Sequence, residues 1–128
     1  MSKTVVHTAN APAPIGPYSQ GIVANGVLYT SGQIAIVPQS GALEIDDIRA
    51  ETELVLNNVK AVVEAAGFTM AEVVKATIFL SNMDNFPQVN EVYATFFTGE
   101  APPARETVQV ARLPKSVNVE ISVIAVKA

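Results

Sequence analysis

The period of the apolar positions changes several times along the chain. Gly21-Ile22-Val23-Ala24 and Val27-Leu28-Tyr29-Thr30-Ser31 are β-prone runs separated by Asn25-Gly26. Both turn residues tolerate positive φ, so the pair predicts a type I′ hairpin. Val5-Val6 is a candidate short strand. The prolines of Ala11-Pro12-Ala13-Pro14-Ile15-Gly16-Pro17 preclude a regular helix between them. From about Asp46 to Ala66 the period becomes helical, with Ile48, Val55, Val59, Val62, Val63 and Ala66 on one stripe. Asp46 or Asp47 suits the N-cap, and Gly67 the C′ stop. Val73 to Leu80 is apolar on both faces and predicts a central strand. Asp84 opens a second predicted helix, with Phe86, Val89, Tyr93, Phe96 and Phe97 on one side and Pro87 in its first turn. Thr107–Arg112 and Val117–Val126 read as two closing strands, with Leu113-Pro114-Lys115-Ser116 as a hairpin turn between them.

The order of elements predicts an α+β fold, in which one sheet carries both helices on one face. Two helices cover only that face. The apolar residues on both faces of 73–80 and 117–126 therefore predict that a second copy of the chain covers the rest. Val117, Val119, Ile121, Val123 and Ala125 should share one face of the last strand. Asn118, Glu120 and Ser122 should share the other, with Ile124 and Val126.

The 128 residues suit a single domain, 1–128. The chain has no Cys, so disulfides, thiolate metal sites and a cysteine nucleophile are excluded. Its one His, His7, argues against a His-based triad or a multi-histidine metal site, and reads as a strand-surface residue. Eight Lys+Arg against twelve Asp+Glu give a formal charge of −4, which argues against a nucleic-acid surface. No stretch approaches the roughly 18 apolar residues of a membrane span, and no secretory signal is legible. The expectation is a cytoplasmic protein.

Two residues invite a chemical reading. Glu120 sits between Val119 and Ile121. A carboxylate partly buried there would have a raised pKa and suit acid–base work; on the solvated face of an edge strand it would be ordinary. Arg105 follows Pro102-Pro103-Ala104 and enters a strand. A rigid loop would preorganise its fork for a carboxylate; the alternative is a surface ion pair with Glu106 or Glu100. Arg49 reads as solvated and Arg112 as structural. Gly16-Pro17-Tyr18-Ser19-Gln20 offers a turn with an aromatic hydroxyl. Thr30-Ser31-Gly32-Gln33 offers backbone N–H groups that could meet an anion. Neither is a phosphate loop.

Taken together, these segments resemble the RidA/YjgF family of reactive-intermediate deaminases. The resemblance runs through Gly16–Gln20, Thr30-Ser31-Gly32-Gln33-Ile34 and Asn57-Asn58-Val59-Lys60 to Gly67. It ends in Pro103-Ala104-Arg105, Val110-Ala111-Arg112-Leu113-Pro114 and Val119-Glu120-Ile121, and covers nearly the whole chain. It implies a chorismate-mutase-like α+β sandwich, a mainly antiparallel or mixed sheet with two helices on one face, assembled as a homotrimer with active sites at subunit interfaces. It implies hydrolysis of 2-imino acids such as 2-iminobutanoate and 2-iminopropanoate to 2-oxo acids and ammonia, with no metal and no cofactor. Arg105 would clamp the substrate carboxylate, Glu120 would activate water and Tyr18 would orient the imine. Ser31, Gly32, Asn90 and Thr107 would meet the substrate. Many family members carry Cys where this chain has Thr107. That residue mainly offers its backbone, so the change bears on thiol-dependent roles, not on hydrolysis. The alternatives are a non-catalytic protein that binds small carboxylates such as 2-oxo acids, and an RNA-cleaving translation inhibitor.

Overall fold

The computed structural model describes residues 2–128. Six strands form one mixed sheet: β1 (Thr4–Val6), β2 (Gly21–Ala24), β3 (Val27–Thr30), β4 (Val73–Leu80), β5 (Ala104–Gln109) and β6 (Val119–Val126), in the order β1-β2-β3-β6-β4-β5. Two helices, α1 (Ile48–Ala65) and α2 (Phe86–Ala94), pack on one face. The α+β architecture is therefore the one expected.

Local chemistry fixes each element. Asn25 and Gly26 adopt φ of 53° and 75°, closing the β2–β3 hairpin in the left-handed region that a primed turn requires. Asp47 caps α1, its carboxylate accepting from the Arg49 N–H at 3.1 Å. Gly67 follows the helix with φ of 83°. Val55, Val59, Val62 and Val63 are fully buried, so the predicted stripe is the face that meets the sheet. Each such side chain contributes on the order of 2 kcal/mol of transfer free energy.

The predicted hairpin at 113–116 does not form. β5 pairs parallel with β4, Arg105 opposite Ala76 and Thr107 opposite Ile78, and β6 inserts between β3 and β4, antiparallel to both. The reason is α2, since a strand that returns through a crossover helix runs parallel to the one before it. Residues 113–116 instead connect strands separated by β4, and Pro114–Ser116 form a single 3₁₀ turn. β5 spans 104–109 rather than 107–112, and β6 begins at Val119. A 3₁₀ turn, Met83–Asn85, precedes α2, which starts at Phe86 and ends before Phe96 and Phe97; the Tyr93 and Phe97 rings still meet at 4.6 Å. His7 is exposed just beyond β1.

The sheet separates two sets of side chains. Ala76, Ile78, Leu80, Val119, Ile121 and Val123 face the helices and are buried. The opposite face presents Tyr29, Phe79, Val108, Ile124 and Val126, of which Tyr29, Val108 and Val126 are exposed. Part of that face is covered by a second, small core of Ile34, Ile36, Leu113 and Val117 packed against Phe79.

Candidate functional site

The main-chain ladder between β3 and β6 ends at Tyr29 and Ile124. The Thr30 hydroxyl then takes over, accepting from the Val123 N–H at 2.9 Å and donating to the Val123 carbonyl at 3.3 Å. Gln33 resumes the pairing with Ile121. Ser31 and Gly32 are the unpaired residues between, a local bulge that brings backbone beside β6. Ser31 is tied back on the other side, its N–H donating to the Gln20 carbonyl at 2.9 Å and its hydroxyl to the Ser19 carbonyl at 2.5 Å.

That bulge makes room for Glu120. A Cβ on Gly32 would lie 2.5 Å from Glu120 Oε2 and 2.8 Å from its Cδ. The carboxylate fills the space that any other residue at 32 would occupy. Glu120 is half-buried, and the loss of water raises its pKa above the ordinary glutamate value. Of the two readings open in the sequence, the partly buried acid is the one observed.

Glu120, Ser31, Gly32 and Tyr18 line one cavity of about 300 Å³. Its remaining wall is mostly apolar, with Pro12, Ile15, Ile34, Ile36 and Pro114. The Tyr18 hydroxyl accepts from the Ile15 N–H at 3.3 Å, which leaves its own proton free to donate.

Arg105 stands elsewhere. Opposite Ala76, it lies on the helix-facing side of the edge strand, whereas Glu120, opposite Phe79, lies on the other face. One α2 face holds it. Arg105 Nη1 donates to Asn90 Oδ1 at 2.7 Å, and the guanidinium carbon sits 4.8 Å from the Tyr93 ring centroid and 5.5 Å from that of Phe86. Among the described residues Arg105 has no carboxylate partner; Glu106 pairs with Lys75 instead, at 3.0 Å. Thr107 shares its face, with a buried hydroxyl that has no partner. The Tyr93 hydroxyl is likewise buried without a partner; burial raises its pKa and the Arg105 charge opposes that shift.

The chain thus gathers the seven predicted residues into two groups. Tyr18, Ser31, Gly32 and Glu120 share the cavity, and Arg105, Asn90 and Thr107 share the far side of the sheet edge. Arg49 makes a surface ion pair with Glu91 at 2.7 Å, and Arg112 bonds the Ser116 hydroxyl. Among the described residues no three His, Asp or Glu side chains cluster as a metal-ligand set. No helix among them is long and apolar enough to cross a membrane. Sequence reading missed Phe86 and Tyr93 as supports for Arg105, although with Asn90 they fall at i, i+4 and i+7 of one helical face. It also missed the apolar cavity wall, whose loop residues carry no periodic signal.

Fold and cavity together define an α+β sandwich with a cavity of small-molecule size. The profile of the Endoribonuclease L-PSP family matches residues 8–127, and the chain belongs to that family, the RidA/YjgF proteins of the sequence resemblance. It is 50% identical over 125 residues to a RutC family protein of Pyrococcus horikoshii, covering 98% of each. It is 48% identical over 129 residues to the 2-iminobutanoate/2-iminopropanoate deaminase of Salmonella typhimurium, covering 99% of each. Among solved structures it resembles Escherichia coli TdcF with bound serine, with a TM-score of 0.92 and 43% identity, over 98% of this chain and 99% of that one.

Proposed function

We propose that this protein is a cytoplasmic 2-imino acid deaminase that hydrolyses substrates such as 2-iminobutanoate and 2-iminopropanoate without metal or cofactor. The observation that carries the reading is Glu120, a half-buried carboxylate lodged against Gly32 in a cavity that also holds Tyr18 and Ser31. The deaminase of Salmonella typhimurium, nearly half identical over the whole chain, supports the choice of reaction. A net charge of −4 favours it over RNA cleavage. A carboxylate poised to take a proton favours it over passive binding of 2-oxo acids.

The site is composite. Arg105 and Glu120 lie on opposite faces of one sheet, so a substrate touching both needs two chains. The exposed apolar residues Tyr29, Val108 and Val126 give the sheet a face for such a contact. We assign a homotrimer in which Arg105, Asn90 and Thr107 of one subunit close the cavity of the next.

In that cleft the Arg105 fork binds the substrate carboxylate and holds the iminium carbon near Glu120. Glu120 takes a proton from water as the oxygen bonds to that carbon, and the C=N π electrons pass to nitrogen. Glu120 returns the proton to the amine. The C–N bond breaks, the carbinolamine hydroxyl loses its proton, and a 2-oxo acid and ammonium leave. The Tyr18 hydroxyl orients the nitrogen, and Ser31, Gly32 and Thr107 contact the substrate. Proton transfer by Glu120 supplies roughly 10² to 10⁴ in rate. The test generates 2-iminobutanoate in situ with a threonine dehydratase and follows 2-oxobutanoate release. Acceleration that depends on this protein and is lost in Glu120→Gln supports the reading; a rate equal to the buffer blank refutes it.

A further inference from the structure

Apart from Pro114, the apolar wall of the Glu120 cavity comes from two loop segments, and a buried side-chain amide outside the cavity bonds the backbone of each. The first is residues 8–15. Gln20, 1% exposed and just before β2, accepts from the Thr8 N–H at 2.7 Å through Oε1. Its Nε2 donates to the carbonyls of Thr8, Ala11 and Pro12 at 3.0, 3.3 and 2.9 Å. Gln20 thus makes four of the bonds that fix the segment carrying Pro12, while the Tyr18 hydroxyl holds its far end at Ile15. The second segment carries Ile34 and Ile36. Asn58, 1% exposed on α1, donates through Nδ2 to the carbonyls of Ile34 at 3.2 Å and Ile36 at 3.0 Å.

We infer that Gln20 and Asn58 are positioning residues that set the spacing of this wall, and with it the preference for the apolar side chain of the substrate. The inference rests on the deaminase reading of the cavity. Neither residue lines the cavity. Both act on it through backbone carbonyls, which an apolar replacement cannot hold. Neither side chain hydrogen-bonds Glu120, Gly32 or Arg105, so a loosened wall spares the proton transfer and weakens the grip on a large side chain. A single methylene in an apolar pocket changes selectivity by about tenfold or more, so a displaced isoleucine or proline is enough to register.

The experiment compares the wild type with Gln20→Met and Asn58→Leu, which approximate the shape of each side chain and remove its amide. The substrates are the 2-imino acids made in situ from leucine and from alanine by an amino-acid oxidase. Amide hydrogen exchange of residues 8–15 is measured alongside. The expected result is a fall of about tenfold in kcat/KM for the leucine-derived substrate. The alanine-derived one should fall about twofold, with the loss chiefly in KM. Exchange across 8–15 should speed up in Gln20→Met alone. Equal losses on both substrates indicate a merely structural role and overturn the inference, as does unchanged exchange in Gln20→Met. If Gln20→Met does not fold, Asn58→Leu decides by the substrate ratio. A wild type inactive on both substrates refutes the deaminase reading instead, and the exchange rates then judge the wall on their own.

Discussion

Replacing Gly32 with alanine tests the geometry of the carboxylate with the smallest available change. The added Cβ would stand 2.5 Å from Glu120 Oε2, 2.8 Å from Cδ and 3.0 Å from Cγ. Carbon contacts settle near 3.5 Å, so the carboxylate must retreat by roughly 1 Å. A misplacement of that size costs about 10² in rate when position supplies the catalysis, equivalent to about 2.7 kcal/mol of transition-state stabilisation. The fold should absorb the change. Glu120 is half-buried, and a forced shift from its rotamer costs about 1 kcal/mol. The lower entropy of the unfolded alanine chain offsets about half to all of that. The expected outcome is kcat/KM for 2-iminobutanoate lower by about 10², with Tm within about 5 °C of the wild type. Dehydratase-coupled kinetics and thermal unfolding by circular dichroism measure the two quantities. Activity within threefold of wild type (about 0.7 kcal/mol) would refute the reasoning, because the carboxylate would then work equally well from a displaced position.

The remaining predictions concern the other groups. Burial raises the pKa of Glu120 in the folded state, so the stability linked to it is present below the ordinary glutamate value and is lost as pH rises through the raised one. Glu120→Gln escapes that loss, so its Tm relative to wild type should climb between pH 4 and 7; a difference that stays flat contradicts the desolvation. Arg105→Lys should lower kcat/KM by about 10² or more, because a point charge cannot reproduce the fork. Tyr93→Phe keeps the ring beneath Arg105 and removes an unpartnered buried hydroxyl, so activity should hold and Tm stay level or rise; Tyr93→Leu should raise KM about fivefold. Glu51 is fully buried on α1 and accepts from the Asn118 N–H at 2.8 Å, Asn118 Nδ2 at 2.6 Å and the Val119 N–H at 3.2 Å, fixing the start of β6. Glu51→Ala orphans those donors and should cost about 3 kcal/mol in urea unfolding; a loss under about 1 kcal/mol means water replaces them.

Much of this architecture can be read in the chain because it follows local rules. The valines of α1 repeat at helical spacing, Asn25-Gly26 permits one kind of turn, and a glutamate between valine and isoleucine marks a candidate for partial burial. Strand pairing is less legible. Residues 107–112 and 117–126 look like hairpin partners in sequence, and only the crossover through α2 makes β5 parallel to β4 and sends β6 to its other side. The same register places Arg105 and Glu120 on opposite faces, a fact no motif spacing encodes. The roles of Gln20 and Asn58 depend on which carbonyls come within hydrogen-bond reach of them, and therefore on tertiary contacts between segments far apart in sequence.

The central claim is that one active site draws on two chains, and subunit mixing tests it most directly. An Arg105→Lys chain and a Glu120→Gln chain, each inactive alone, are combined in equal amounts, dissociated and reassembled. If Arg105 of one subunit serves Glu120 of its neighbour, random trimers restore about a quarter of the sites, and with them about a quarter of wild-type activity. A mixture no more active than its parents contradicts the account, for it would mean that each chain completes its own site.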